Sequence, residues 1–104
     1  MRDYSKFSAI IIGAGVSTGS AITRKFAEMG YHACPVRRER NFSELEELAN
    51  GIKQAGNQAT PFGVDARDED AIAKLFQEVE ENIAPIDVVV FNPVSYTHLR
   101  AHET

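Results

Sequence analysis

Two short runs in this chain, Phe7-Ser-Ala-Ile-Ile-Ile12 and Ile86-Asp-Val-Val-Val-Phe-Asn92, are apolar with almost no alternation. Successive side chains of a strand point to opposite faces of its sheet, so a strand with one wet face alternates. A run that is apolar on both phases reads as a strand covered on both faces, the environment of a parallel sheet. The segments between them fit that frame. Residues 17–29, about 43–56 and 69–79 carry a helical period instead, with Ile22, Phe26 and Met29 on the first stripe. Leu45, Leu48, Ala49 and Ile52 form the second stripe, and Ile72, Leu75, Phe76 and Val79 the third. Gly30 is placed to cap the first helix at its C-terminus, Ser43 and Glu46 have capping-box spacing, and Asp68 is placed to cap the third helix. Two weaker strands complete the series. Residues 31–36 are expected to stop at Pro35, which donates nothing to a ladder, and residues 58–64 are weakened by Pro61 and Gly63. The order β-α-β-α-β-α-β predicts a parallel sheet with right-handed crossovers.

Composition narrows the function classes. At 104 residues there is room for one domain. Hydrophobic residues at 43% and charged residues at 25% are ordinary globular usage, which excludes disorder as the main state. Acidic residues outnumber basic ones 15 to 11, so no nucleic acid is expected as a partner. No apolar run approaches the ~18–20 residues of a membrane span, and the N-terminal stretch lacks a signal-peptide cleavage site. One cysteine, Cys34, forms no internal disulfide and points to a reducing, cytoplasmic setting. Cys34 reads as a small core hydrophobe, and His32 as structural, with no partner visible in the sequence. Glu44, Glu46 and Glu47 read as the wet side of a helix.

The segment Gly13-Ala-Gly-Val-Ser-Thr-Gly19 lies between the first strand and the first helix. Glycines let backbone approach a ligand closely, and the free N–H groups of a helix start suit a pyrophosphate. Gly13, Gly15, Ser17, Thr18 and Gly19 are therefore candidate cofactor-binding residues, Gly19 also permitting close helix–strand packing. The spacing G-x-G-x-x-x-G is one residue longer than the common dinucleotide fingerprint, and the alternative is a tight turn with no ligand.

Several stretches agree in order with the N-terminal part of the short-chain dehydrogenase/reductase family, which the segment resembles. They are Ile11-Ile-Gly-Ala-Gly15 through Gly19-Ser-Ala-Ile22, Arg37-Arg38, Val64-Asp65 and Pro85-Ile-Asp-Val-Val-Val-Phe-Asn92. Ile12 and Ser17 stand where the family usually has threonine and a middle glycine, closer to a divergent G-A-G-x-x-x-G branch. The resemblance implies a Rossmann-like α/β fold, a parallel sheet with flanking helices, here truncated after the fourth strand. It also implies that Asp65 bonds the adenine, that Ala66 lies beside the ring and that Asn92 sits near the ribose. For Asp65 a plain loop carboxylate is the alternative.

The end of the second strand bears on the cofactor. An acid there accepts bonds from a ribose diol, whereas guanidinium groups match a 2′-phosphate. The sequence offers Arg37, Arg38 and Arg40 and no acid before Glu39, so NADP is favoured over NAD, with a solvated basic loop as the alternative. The same lack of an acid argues against an S-adenosylmethionine site. The expected function is the cofactor-binding fragment of an NAD(P)-dependent oxidoreductase whose complete parent takes a small carbonyl or alcohol. A non-catalytic NADP(H)-sensing module is the alternative. A flavodoxin-like or receiver domain wants acids at the first strand's tip, where this chain has Gly13-Ala-Gly15. The family's serine and Tyr-x-x-x-Lys are absent from these 104 residues, so no catalytic residue is assigned. Substrate and oligomeric state are not readable.

Residues 94–104, Val-Ser-Tyr-Thr-His-Leu-Arg-Ala-His-Glu-Thr, break the pattern. They resemble one reading frame of a transposase adaptor used in preparing sequencing libraries, so 1–92 is read as the cofactor-binding region and 93–104 as a non-native tail. His98 and His102, four apart, and Tyr96 with Arg100 are discounted with it: no third metal ligand is evident, and arginine does not replace a lysine that tunes a proton relay. Deleting residues 94–104 is expected to leave the melting temperature unchanged within error. A clear loss of stability would show that the segment packs.

Overall fold

A computed structural model describes residues 3–13, 17–38 and 42–92. After a 3₁₀ turn at Tyr4–Lys6, the elements are β1 (Ser8–Ile12), α1 (Ser17–Met29), β2 (His32–Arg37), α2 (Phe42–Gln54), β3 (Gln58–Ala59), β4 (Phe62–Gly63), α3 (Glu69–Asn82) and β5 (Ile86–Phe91). All the strand pairings are parallel, in the order β3-β2-β1-β5, with β4 also paired to β2. The expected parallel α/β sheet is therefore present.

β1 is central, with β2 on one edge and β5 on the other, and all five of its residues are buried. Its even-numbered apolar residues, Ile10 and Ile12, pack with Cys34, Val36, Leu75 and Val79 beneath α3. Ala9 and Ile11 face the other side, with Tyr31 and Leu45. Each fully buried isoleucine contributes roughly 1.5–3 kcal/mol of transfer free energy. Buried Ser8 bonds through its hydroxyl to the Ala84 carbonyl at 3.1 Å.

The helices are where their periods place them, with two differences. α2 starts at Phe42, so Ser43 is already helical and the capping-box reading is two residues late. α1 buries Thr23 and Ala27, while Met29 is 46% exposed and Ile22 and Phe26 are half-buried. Gly19, Thr23 and Ala27 recur at i, i+4, i+8, and this row of small residues lets α1 lie close to the sheet. Thr23 donates its hydroxyl to the Gly19 carbonyl at 2.8 Å. Gly30, at φ +117°, ends α1: its N–H donates to Ala27, and that of Tyr31 to Phe26. Asp68 caps α3, accepting from the Ala71 N–H.

β2 does not end at Pro35. The Ala33 and Arg37 carbonyls accept from Thr60 and Val64, on the β3/β4 side, and the Val36 carbonyl accepts from Gly13, on the β1 side. Alternation turns the Pro35 nitrogen toward the β3/β4 side, at the interruption between Ala59 and Phe62. The ladder is interrupted there, where proline has no N–H to donate, and the expected 58–64 strand is two short pieces. β5 carries a register shift, Ser8↔Ile86 followed by Ala9↔Val88, so Asp87 is the extra residue of a bulge. Beyond it Val88 and Val90 face the α1 layer, while Val89 and Phe91 are 45% and 59% exposed. The expected burial of this strand on both faces is not met.

His32 has the partners that its sequence did not reveal. Nδ1 donates to the Gln58 Oε1 at 3.2 Å and Nε2 accepts from the Thr60 hydroxyl at 2.7 Å. Partial burial lowers its pKa. A histidine with a lower pKa folded than unfolded binds fewer protons in the native state. Its contribution is full above its ordinary value and is lost as pH falls below it. Between about pH 7.5 and 5 the urea midpoint is expected to fall, with a shallower slope in His32→Gln. Parallel slopes in the two proteins would remove His32 as a source of the pH dependence.

Candidate functional site

In a parallel sheet all the strands finish at one edge, and ligands bind there, where successive connections leave in opposite directions. In this chain that point is β1, since the path runs from β1 outward to β2, β3 and β4, then returns through α3 to β5 on the other side. Gly13 follows β1, Arg37 ends β2 with Arg38 after it, Asp65 follows β4 by two residues, and Asn92 follows β5.

Gly13 is held from both neighbouring strands. Its N–H donates to the Val36 carbonyl at 2.9 Å, and the Asn92 amide lies 3.5 Å from the Gly13 carbonyl oxygen. The Asn92 N–H donates to Ile12 at 2.8 Å. Gly13 has φ +88°, and a Cβ there would overlap the backbone carbonyl of Asn92. The approach of Asn92 and the positive φ therefore require glycine at this position, and the turn presents backbone without a side chain. Thr18 is exposed in the first turn of α1 and Gly19 is buried there. Gly15 and the side chain of Ser17 lie outside the described residues. So do Glu39, Arg40 and residues 93–104 with His98, His102, Tyr96 and Arg100. Bare backbone at the start of the loop and a helix start beyond it fit the phosphates of a dinucleotide.

The charged groups at this edge are partnered in ways that sequence reasoning missed. Arg37 donates to Glu44 at 2.6 Å, with the arginine side chain 20% exposed and that of Glu44 57%. Glu44 belongs to the first turn of α2, where a carboxylate also complements the helix dipole. Arg38 is exposed. Asp65 accepts three bonds from Arg67: from its backbone N–H at 2.9 Å, from Nε at 3.1 Å and, on its other oxygen, from an Nη at 2.9 Å. These bonds hold the Asp65 carboxyl down to about 2, so it is ionised throughout the usable pH range. Ala66 is exposed in the same turn. No periodic signal marked Glu44 or Arg67. The available hint was their charge, at seven residues from Arg37 and two from Asp65.

Elsewhere, burial pushes the Cys34 thiol up to about 12, which makes it inert. Among the described residues there is no group of three or more His, Cys, Asp and Glu placed to hold a metal ion. Among them, too, no helix is long and apolar enough to cross a membrane.

An all-parallel sheet with helices on both faces and a glycine turn at the switch point defines a dinucleotide-binding class of fold. Comparison with known proteins makes this specific: the chain belongs to the short chain dehydrogenase family, whose model matches residues 8–102. That match runs on across most of the 93–104 segment. A short chain dehydrogenase of Pseudocercospora fijiensis is 36% identical over 84 residues, covering 80% of this chain and 26% of the relative. The crystal structure of a short-chain dehydrogenase from Rhodopseudomonas palustris superposes with a TM-score of 0.78 at 32% identity, covering 84% of this chain and 40% of that one. A metagenomic short-chain oxidoreductase solved in complex with NADP gives 0.75 at 27% identity, covering 85% and 39%. The chain thus spans well under half the length of these relatives. It corresponds to the cofactor-binding region of a family that uses NAD(P).

Replacing Gly13 by alanine is expected to destabilise the fold by on the order of 2–3 kcal/mol, because positive φ and the overlap with Asn92 act together. Thermal unfolding checks this, and an unchanged melting temperature would show that the turn relaxes freely.

Proposed function

We propose that this chain is the cofactor-binding part of an NADP(H)-dependent oxidoreductase acting on a carbonyl or alcohol. The observation that carries the reading is the convergence of Gly13, Arg38, Asp65 and Asn92 on one sheet edge at the switch point. The basic end of β2 favours the phosphorylated dinucleotide, and the structural relative in complex with NADP supports the same choice. Gly13, Gly15, Ser17, Thr18 and Gly19 are assigned to the pyrophosphate, and Arg38, at the basic end of β2, to the 2′-phosphate. Asp65 and Ala66 are assigned to the adenine, and Asn92 to the ribose.

The nicotinamide of the bound cofactor supplies or accepts the hydride, and the chain's own residues bind and orient it. Reduction of a carbonyl also needs a proton delivered by a group of tuned pKa. Neither Tyr4 nor Tyr31 has a lysine four residues on. Tyr31 lies one residue before β2, at the sheet end opposite the candidate site, and donates to Asp87 at 2.6 Å. Tyr4 is stacked beside it, with ring centroids 4.9 Å apart. The 104-residue chain is therefore expected to bind without turning over.

Titration calorimetry of the purified chain is expected to give tighter binding of NADP⁺ than NAD⁺ by about tenfold, the worth of charge-assisted bonds to a partly solvated phosphate. Equal affinity, or a preference for NAD⁺, would overturn the choice of cofactor. NADPH oxidation with a panel of aldehydes and ketones is expected to stay at the blank rate. Saturable turnover that survives Tyr96→Phe would reveal a proton donor other than those considered.

A further inference from the structure

Three arginines compete for one role at the ends of β2 and β4. We infer that the 2′-phosphate is recognised by a pair of guanidinium groups, Arg38 and Arg67, that Asp65 is the positioning residue for Arg67, and that Arg37 stands outside the pair. This rests on the NADP(H) reading above and names the residues that deliver it.

The backbone brings the pair together. The Val64 N–H donates to the Arg37 carbonyl at 2.7 Å, so the next residue on each strand, Arg38 and Asp65, leaves the ladder side by side. Arg38 is close enough to help lower the Asp65 pKa. Asp65 grips Arg67 through Nε and one Nη. That leaves roughly three of the five guanidinium donors open, on a planar group whose orientation is already set. Arg38 makes no hydrogen bond or ion pair among the described residues and is exposed. Two cations therefore share one carboxylate, and the excess positive charge faces outward. Of the carboxylate's roughly four acceptor positions, three are taken by Arg67, which leaves one for an adenine amino group.

Arg37 is in the opposite position. Its guanidinium is mostly buried and closes a 2.6 Å bond to Glu44. To reach a phosphate it would have to abandon that carboxylate or bring it beside a dianion, and both are unfavourable. Arg37 instead ties the end of β2 to the first turn of α2.

The probes are adenosine 2′,5′-bisphosphate and AMP, which differ only by the 2′-phosphate, titrated into the 104-residue chain by calorimetry. The wild type is expected to prefer the bisphosphate. Arg67→Gln and Arg38→Gln are each expected to weaken the bisphosphate about tenfold while changing AMP less than about twofold. Arg67→Lys, which keeps the charge but loses the fork, falls between. Arg37→Gln is expected to leave the ratio unchanged. If it does not stay folded, Glu44→Gln replaces it, with a ratio unchanged or raised. An unaltered ratio in Arg67→Gln overturns the inference, as does an equal drop in Arg37→Gln or a fall in Glu44→Gln. In all three cases the NADP(H) reading stands. A wild-type chain with no preference for the bisphosphate overturns both.

Discussion

The structure depends on a five-residue strand that is inside on every side. β1 gives both edges to parallel neighbours and both faces to helices, and none of its residues reaches solvent appreciably. Its backbone groups are satisfied by β2 and β5, and the buried Ser8 hydroxyl by the chain entering β5. Because both neighbours run parallel to it, their carboxyl ends are brought to its own. The site is a consequence of that alignment. Gly13, Arg37 and Asn92 are far apart in sequence, and they meet because each follows or ends a strand of the same sheet.

That logic made much of the fold legible from sequence. Lack of alternation in residues 8–12 declared a strand buried on both faces, and the three helical periods declared the crossovers. The helix faces were legible where large residues carry the packing, as with Leu45, Leu48 and Ile52. They were not legible in α1, where closeness to the sheet is set by what is small. Gly19, Thr23 and Ala27 are the buried row, Ile22 and Phe26 of the apolar stripe pack half-buried beside it, and Met29 is exposed. Pro35 was misread for a related reason. A proline interrupts the ladder on one side only, and β2 carries on past it because Val36 and Arg37 pair with β1 and β4 beyond the interruption.

At the site, position was legible and partnership was not. Strand-end arithmetic puts Arg37, Arg38 and Asp65 at one edge whatever their side chains do. Which cation each carboxylate takes depends on helix entry and turn geometry. Glu44 is brought to Arg37 by the start of α2, and Arg67 returns to Asp65 because residues 65–68 form a turn, closed by the Asp68 N–H on the Asp65 carbonyl. Two arginines adjacent in sequence thereby receive different environments, Arg37 mostly buried against Glu44 and Arg38 exposed near the Asp65 carboxylate.

β5 shows how the edge of this sheet is kept in register. Its outward residues Val89 and Phe91 are exposed, so burial on that face does little to hold it. It is fastened at its two ends. At the amino end Ser8 bonds the Ala84 and Pro85 carbonyls, and Tyr31, packed edge-on against Phe26, donates to Asp87 within the bulge. At the carboxyl end the Asn92 N–H meets the Ile12 carbonyl, and its amide approaches Gly13. The bulge shifts the strand by one residue, which turns Val88 and Val90 toward the α1 layer instead of α3. A one-residue slip would exchange the faces of every side chain beyond it, so the fastening at Asp87 fixes which valines are buried. By the same registration Asn92 arrives beside Gly13 with its amide directed at the turn. The geometry of the candidate site is thus set partly from the opposite end of the sheet, by a tyrosine that takes no part in it.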